Sequence, residues 1–246
     1  MMLTDITAKA AFTGFLTTFV GFAASFAVVM QGLYAVGATD AQVISGLMML
    51  CLLKGICEIY LSLKHRMPIT IAWSTPGAAL LASTGAVTGG FPAAVGAFAI
   101  AAGLIILAGL WKPLERLVAG IPLSLANAML AGVLLPLCLA PFAAITDFPL
   151  YGLSILFVWL IVGQFSRIWA VPAALTVFAI ILFWGIGVTD AQWQSVCDAA
   201  FILPEFVYPA WNWQATVGIA LPLFIVTMAS QNITGYGVLR AYGYAP

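Results

Sequence analysis

Long apolar runs alternate with short polar breaks along this chain. A membrane-spanning helix needs roughly 20 mostly apolar residues. On that basis about eight segments are predicted, at 11–36, 41–63, 68–87, 93–111, 118–140, 150–165, 170–188 and 215–236. The first run follows a mixed polar start and is too long for the apolar core of a cleavable signal, so it reads as a retained span.

The breaks carry a sorted charge pattern. With the N-terminus inside, the inner loops hold Lys9, Lys64, Arg66, Lys112, Arg116, Arg167 and Arg240. The outer connections hold Asp40, Asp147, Asp190, Asp198 and Glu205 and no Lys or Arg. Lys and Arg favour the cytoplasmic side of a membrane. The pattern therefore predicts both termini in the cytoplasm and supports the segment count. Lys54 alone falls within a span.

Composition agrees. The 246 residues are 64% hydrophobic and 7% charged, with a mean hydropathy of +1.13. A soluble domain carries roughly 25% charged residues, so lipid must cover much of this surface. Eight Lys and Arg balance eight Asp and Glu. No basic patch is present to meet the phosphates of a nucleic acid. Cys51, Cys57, Cys138 and Cys197 are scattered, without the spacing of a zinc site or a disulfide framework. No nucleophile–base set or phosphate-binding loop appears, so neither an enzyme nor a cofactor is expected.

The third segment is the most informative. Residues 69–73 are β-prone, and Pro76 lies well inside the apolar run. Proline has no N–H and biases its predecessor towards extended backbone. It also suits the first turn of a helix, with Ser74 or Thr75 as N-cap. One reading is an extended strand followed by a half-helix, meeting near mid-membrane. Its free N–H groups and positive dipole would then face a buried cavity that favours an anion. The other reading is a proline kink in a continuous helix, and the residues leave both open.

Other polar positions have two readings each. Gln31 in the first span and Gln231–Asn232 in the eighth are either interhelical glue or the lining of the same cavity; Gly235 and Gly237 follow the latter pair. Lys54 and Glu58 are spaced to pair on one helical face, as structural partners or as a proton relay. His65, between Lys64 and Arg66, reads as a solvated loop residue. In the fifth span Ser124 and Asn127 follow Pro122, and Pro136 comes later, which suits a bent helix in either a packed or a gating role. The acidic, aromatic connection at 189–213 is either an interfacial belt or an outer gate.

Two stretches, Ile-Ala-Trp-Ser-Thr-Pro-Gly-Ala-Ala-Leu-Leu at 71–81 and Thr-Met-Ala-Ser-Gln-Asn-Ile at 227–233, resemble the benzoate/proton symporter family of bacterial inner membranes. The likeness runs along essentially the whole chain and extends to nucleobase and sulfate permeases. It implies a fold of fourteen segments in two inverted repeats of seven. Segments 3 and 10 are then strand-plus-half-helix elements facing each other across the substrate. On that scheme 1–188 is the first seven-segment repeat. Residues 189–246 are an outer aromatic connection and the first helix of an incomplete second repeat. The expectation is an all-α polytopic membrane protein whose sequence is a truncated or partial one.

The stretch Gln31-Gly-Leu-Tyr-Ala is similar to a Gln-Gly-Leu stretch that lies at the anion site of sulfate-permease relatives. The resemblance thus implies substrate-binding roles for Gln31 and Tyr34, for Ser74, Thr75, Gly77 and Ala78, and for Gln231 and Asn232. Trp73 is expected to pack an aromatic ring. Nucleobase relatives place titratable residues where this chain has Gln231 and Asn232, so proton coupling rests on the resemblance alone. The implied activity is proton-coupled uptake of benzoate or a similar aromatic carboxylate across the inner membrane. The implied partners are a small organic anion, protons and the lipid bilayer, with a homodimer left open. The alternatives are a nucleobase or inorganic-anion permease and a non-transporting fragment.

Overall fold

The computed structural model describes residues 7–111, 113, 123–187, 189, 194, 204–228 and 233–244. Among these, every regular element is helical. They are α1 (Ala8–Ala35), α2 (Asp40–His65), α3 (Thr75–Thr84), α4 (Gly90–Leu110), α5 (Leu123–Asp147), α6 (Pro149–Phe165), α7 (Arg167–Ile180), α8 (Trp213–Ala215), α9 (Leu221–Thr227) and α10 (Ile233–Ala241). Wider π-turns extend α7 over Ile181–Ile186 and join α8 to α9 over Thr216–Ala220. Pro222 lies just after the second π-turn and has no N–H for the carbonyl of Gly218, so the regular ladder cannot run through it.

Among the described residues, four stretches are long and apolar enough to cross a membrane: Ala10–Ala35, Asp40–His65, Gly90–Leu110 and Arg167–Ile186. Shorter apolar helices cover Cys138–Asp147, Pro149–Phe165 and Trp213–Thr227. Their outer faces are apolar: Phe15, Leu110 and Phe165 are 69, 81 and 88% exposed. In water such a surface would aggregate; in hydrocarbon it is matched. The chain is therefore a membrane protein whose regular elements, among the described residues, are all helical.

The third segment resolves into a half-helix, with a correction to what precedes it. Helix α3 starts at Thr75, not before, so the segment is no continuous kinked helix. Residues 68–74 are non-helical, but no strand forms there or elsewhere among the described residues. A strand is defined by a ladder with a second strand. Here the backbone polar groups find side chains instead, as described below. The fifth expected span also differs in its bounds, since α5 continues past Ala140 to Asp147 with Pro136 and Pro141 inside it.

Contacts divide the chain into two compact units. One takes Met1–Ala27 with Pro136–Ile202. Its α6 and α7 pack as neighbours across the tight connection at Ser166, and Gly185 at the end of this layer lets Tyr151 approach. The other unit takes Val28–Leu135 with Leu203–Pro246. Its core joins Leu33 of α1 and Val36 just after it, α2 (Val43), α3 (Ala78, Leu81), α4 (Ala94, Ala97) and the π-turn residues Ile219 and Ala220. Alanine dominates the α4 face. Small side chains let helix backbones approach closely, the main route to tight packing where lipid removes the hydrophobic drive.

Local sequence explains the ends of α2. Thr39 and Gln42 form a reciprocal capping box at its start, which satisfies two otherwise orphan N–H donors. Lys64 lies in its last turn beside the exposed His65, and the lysine's positive charge meets the negative end of the helix dipole. Tyr34 closes the α1–α2 corner by donating to Asp40 Oδ1 at 2.9 Å.

Candidate functional site

The second unit holds a cavity of about 530 Å³, within the 300–1,000 Å³ range of small-molecule sites. Its lining is mostly apolar. Phe91, Val95 and Phe98 of α4, Val29 and Leu33 of α1, and Leu223 of α9 form much of the wall. The polar contribution comes from Ser74 and Thr227, from Gln42 and Ser45 of α2, and from Glu205.

The start of α3 opens on this cavity. Ser74 is extended and caps the helix by accepting the Gly77 N–H at 3.1 Å. Its carbonyl accepts the Ala78 N–H at 2.8 Å. Pro76 has no N–H, so the first turn keeps few free backbone donors, fewer than a bare helix start would present. Thr227 donates to Ser74 Oγ at 3.2 Å. Both lone pairs of the Ser74 hydroxyl are then engaged, which leaves its proton as the donor it can offer.

The non-helical approach to Ser74 runs along α2. Ile69 donates its N–H to Ser62 Oγ at 3.2 Å, and Ser62 donates to the Ile69 carbonyl at 3.1 Å. Ile71 donates its N–H to Glu58 Oε1 at 2.7 Å. These bonds replace the missing ladder. The other side of α3 rests on α1. A Cβ built at Gly32 would stand 2.5 Å from the Ala78 carbonyl oxygen, so only glycine permits this approach.

A strap at 204–212 passes over α2 and α4. Ser45, buried to 3% exposure, accepts the Glu205 N–H at 2.8 Å and donates to the Glu205 carbonyl at 3.4 Å. Gln42 donates to the Glu205 carboxylate at 3.1 Å. Ala210 donates to the Pro92 carbonyl at 2.9 Å, and Asn212 to that of Thr88 at 2.7 Å. Glu205, Phe206 and Val207 thereby join the cavity wall. Further along, Phe206, Tyr208, Trp211 and Trp213 are exposed.

The structure brings Trp73, Ser74, Gly77 and Ala78 together on the cavity. Thr75 is half-buried in the first turn of α3, outside the lining. Gln31 and Tyr34 are exposed on α1 and do not line it either. Gln231 and Asn232 lie outside the described residues. Sequence reasoning did not single out Ser45, Gln42, Glu205 as a wall residue, or Thr227. The spacing Thr39-x-x-Gln42 is a capping signature that could have drawn attention to one of these positions; the pairing of Ser45 with Glu205 had no local signal.

Comparison with known proteins adds an independent line. A family model described as benzoate membrane transport protein matches residues 4–246. The chain is 39% identical over 249 residues to inner membrane protein YdcO of Escherichia coli (strain K12), covering 100% of the chain and 61% of that protein. It is 28% identical over 246 residues to the benzoate membrane transport protein of Acinetobacter baylyi (strain ATCC 33305 / BD413 / ADP1), covering 98% of the chain and 60% of that protein. The chain thus spans about three-fifths of the length of these curated relatives. No solved structure matches.

Proposed function

This chain belongs to the benzoate membrane transport protein family, and from that premise we propose that it forms part of a carrier for benzoate or a similar aromatic carboxylate. The family is one of membrane transporters and not of enzymes. The observation that carries the substrate reading is the capped start of α3 opening on a largely apolar cavity. A carboxylate would accept a hydrogen bond from the Ser74 hydroxyl and sit at the positive end of the α3 dipole. The ring would pack among Trp73, Phe91, Phe98 and Leu223, where apolar burial favours it. Gly77 and Ala78 line the cavity beside Ser74, and Gln31, Tyr34 and Thr75 lie outside that lining.

Proton coupling, an inner-membrane location with both termini cytoplasmic, and a first seven-segment repeat at 1–188 complete the reading. The test is uptake of labelled benzoate into vesicles carrying the protein, with and without an inward proton gradient. Saturable, gradient-dependent uptake is expected. Absence of saturable benzoate uptake overturns the substrate. Uptake indifferent to the gradient overturns the coupling. Competition by uracil or sulfate but not benzoate would assign a nucleobase or inorganic-anion permease instead.

A further inference from the structure

Lys54 and Glu58 stand one turn apart near the middle of α2, with Nζ 3.8 Å from Oε1 and their side chains only 25 and 26% exposed. Ionised groups at that depth are costly. Pairing reduces the cost, yet each partner also makes a contact that pairing does not require. The Glu58 oxygen facing Lys54 is the one that accepts the Ile71 N–H. The Lys54 ammonium lies 5.6 Å from the centroid of the Trp73 ring, within range of a cation–π attraction. One turn further along the same face, Ser62 exchanges two hydrogen bonds with Ile69.

The three contacts form a register. Positions 54, 58 and 62 of α2 meet positions 73, 71 and 69 of the non-helical stretch, in antiparallel order. Four helical residues advance about 6 Å, and two extended residues advance about 6.6 Å. One face of a helix can therefore serve an extended segment at every second residue. The segment ends at Ser74, whose cap fixes where α3 begins.

We infer that Lys54, Glu58 and Ser62 form a rail that holds residues 69–73 extended, and so positions Trp73 and Ser74 on the cavity. They are positioning residues, not ligands. The function of the rail rests on the reading of that cavity as the substrate site; its existence does not. It also accounts for a charged pair in mid-span: removing Glu58 would strand the Lys54 charge and free the Ile71 N–H at once.

Hydrogen–deuterium exchange of the whole protein in detergent tests the rail without transport. Glu58→Leu removes the acceptor; Glu58→Gln keeps an oxygen for the Ile71 N–H. Exchange across 67–74 is expected to rise about tenfold or more in Glu58→Leu, the scale of a lost hydrogen bond to a charged group. It should stay near the original in Glu58→Gln, with α4 unchanged in both. Unchanged exchange in Glu58→Leu, or equal loss in Glu58→Gln, overturns the rail. If Glu58→Leu also loosens α4, the Lys54 pair decides. Faster exchange at 67–74 in Lys54→Met, reversed in Lys54→Arg, supports the rail, and no change overturns it. Uptake kinetics form the second arm. The benzoate KM should rise in Glu58→Leu and recover in Glu58→Gln, with the maximal rate less affected. A protein that takes up no benzoate yet shows this exchange pattern keeps the rail and loses the proposed substrate.

Discussion

Thr227 on α9 donates a hydrogen bond to Ser74, the cap of α3, at 3.2 Å across 153 residues of sequence. Both side chains line the cavity. The bond ties the start of the half-helix to a helix that begins after the strap. It also orients the Ser74 hydroxyl, since Gly77 and Thr227 occupy its two acceptor positions.

Substitution at this pair should separate stability from binding. Ser74→Ala removes the cap, at a cost of about 1 kcal/mol, together with the donor proposed for the carboxylate. Melting in detergent should fall and the benzoate KM should rise. Ser74→Thr keeps a capping oxygen and should restore most of both. Thr227→Val leaves the cap intact, so its melting temperature should stay closer to the original. Equal loss in Ser74→Ala and Ser74→Thr would count against the hydroxyl role.

Gly32 makes a second prediction, on packing alone. Any Cβ there meets the backbone of Ala78 rather than a side chain that could swing away. Gly32→Ala should force α1 and α3 apart, at about 1–3 kcal/mol for an overpacked contact. Gly46→Ala provides the control, because a Cβ at Gly46 would stand 3.5 Å from a terminal Leu33 carbon, an ordinary contact. Thermal melting of the two variants side by side should show a clear drop only for Gly32→Ala.

These two sites mark what could be read from the sequence. The half-helix was one of two readings that the residues left open: Ser74 offers a capping hydroxyl and Pro76 suits a first turn, but a proline is also accommodated within a helix, as Pro136 and Pro141 show. The strand before it was misjudged because β-propensity at 69–73 reports a fit to extended backbone, not a partner for it. The structure supplies α2 side chains in the partner's place. Spacing alone suggested the Lys54–Glu58 pair, but their contacts to Trp73 and Ile71 depend on how the chain turns after Arg66. Gln31 stood out as an amide in an apolar run, and a sequence cannot say which side of α1 faces the cavity. The glycine that does face α3 is its neighbour, Gly32. Ser45 and Glu205, 160 residues apart, had no local signature at all.

The strap should come loose before the helices do. At its start one buried hydroxyl serves both the N–H and the carbonyl of Glu205. Ser45→Ala leaves the two unpaired at a cost of about 1 kcal/mol, kept at the low end because Glu205 itself is exposed to solvent. Hydrogen exchange and proteolysis within 204–212 should accelerate in Ser45→Ala, while α4 keeps its protection. Gln42→Ala, which removes only the contact to the carboxylate, should have the smaller effect. Equal behaviour of the two variants would mean that the backbone bonds do not anchor the strap.

Gly77 and Leu223 should behave as a coupled pair. A Cβ at Gly77 would stand 2.5 Å from Leu223 Cδ1 and 2.9 Å from Ser74 Oγ. Gly77→Ala must therefore push the leucine into the cavity and crowd the cap. Leu223→Ala alone removes wall volume, so benzoates with a larger ring substituent should compete better for uptake than they do in the parent protein. In the double variant the leucine is gone and only the crowding at Ser74 remains. Contacting residues commonly show coupling of about 0.5–3 kcal/mol in such cycles. The benzoate KM of the double variant should therefore lie below the value expected from adding the two single effects. Strict additivity would mean that Leu223 does not line the path of the substrate beside Gly77, and the ring would have to be placed against another wall.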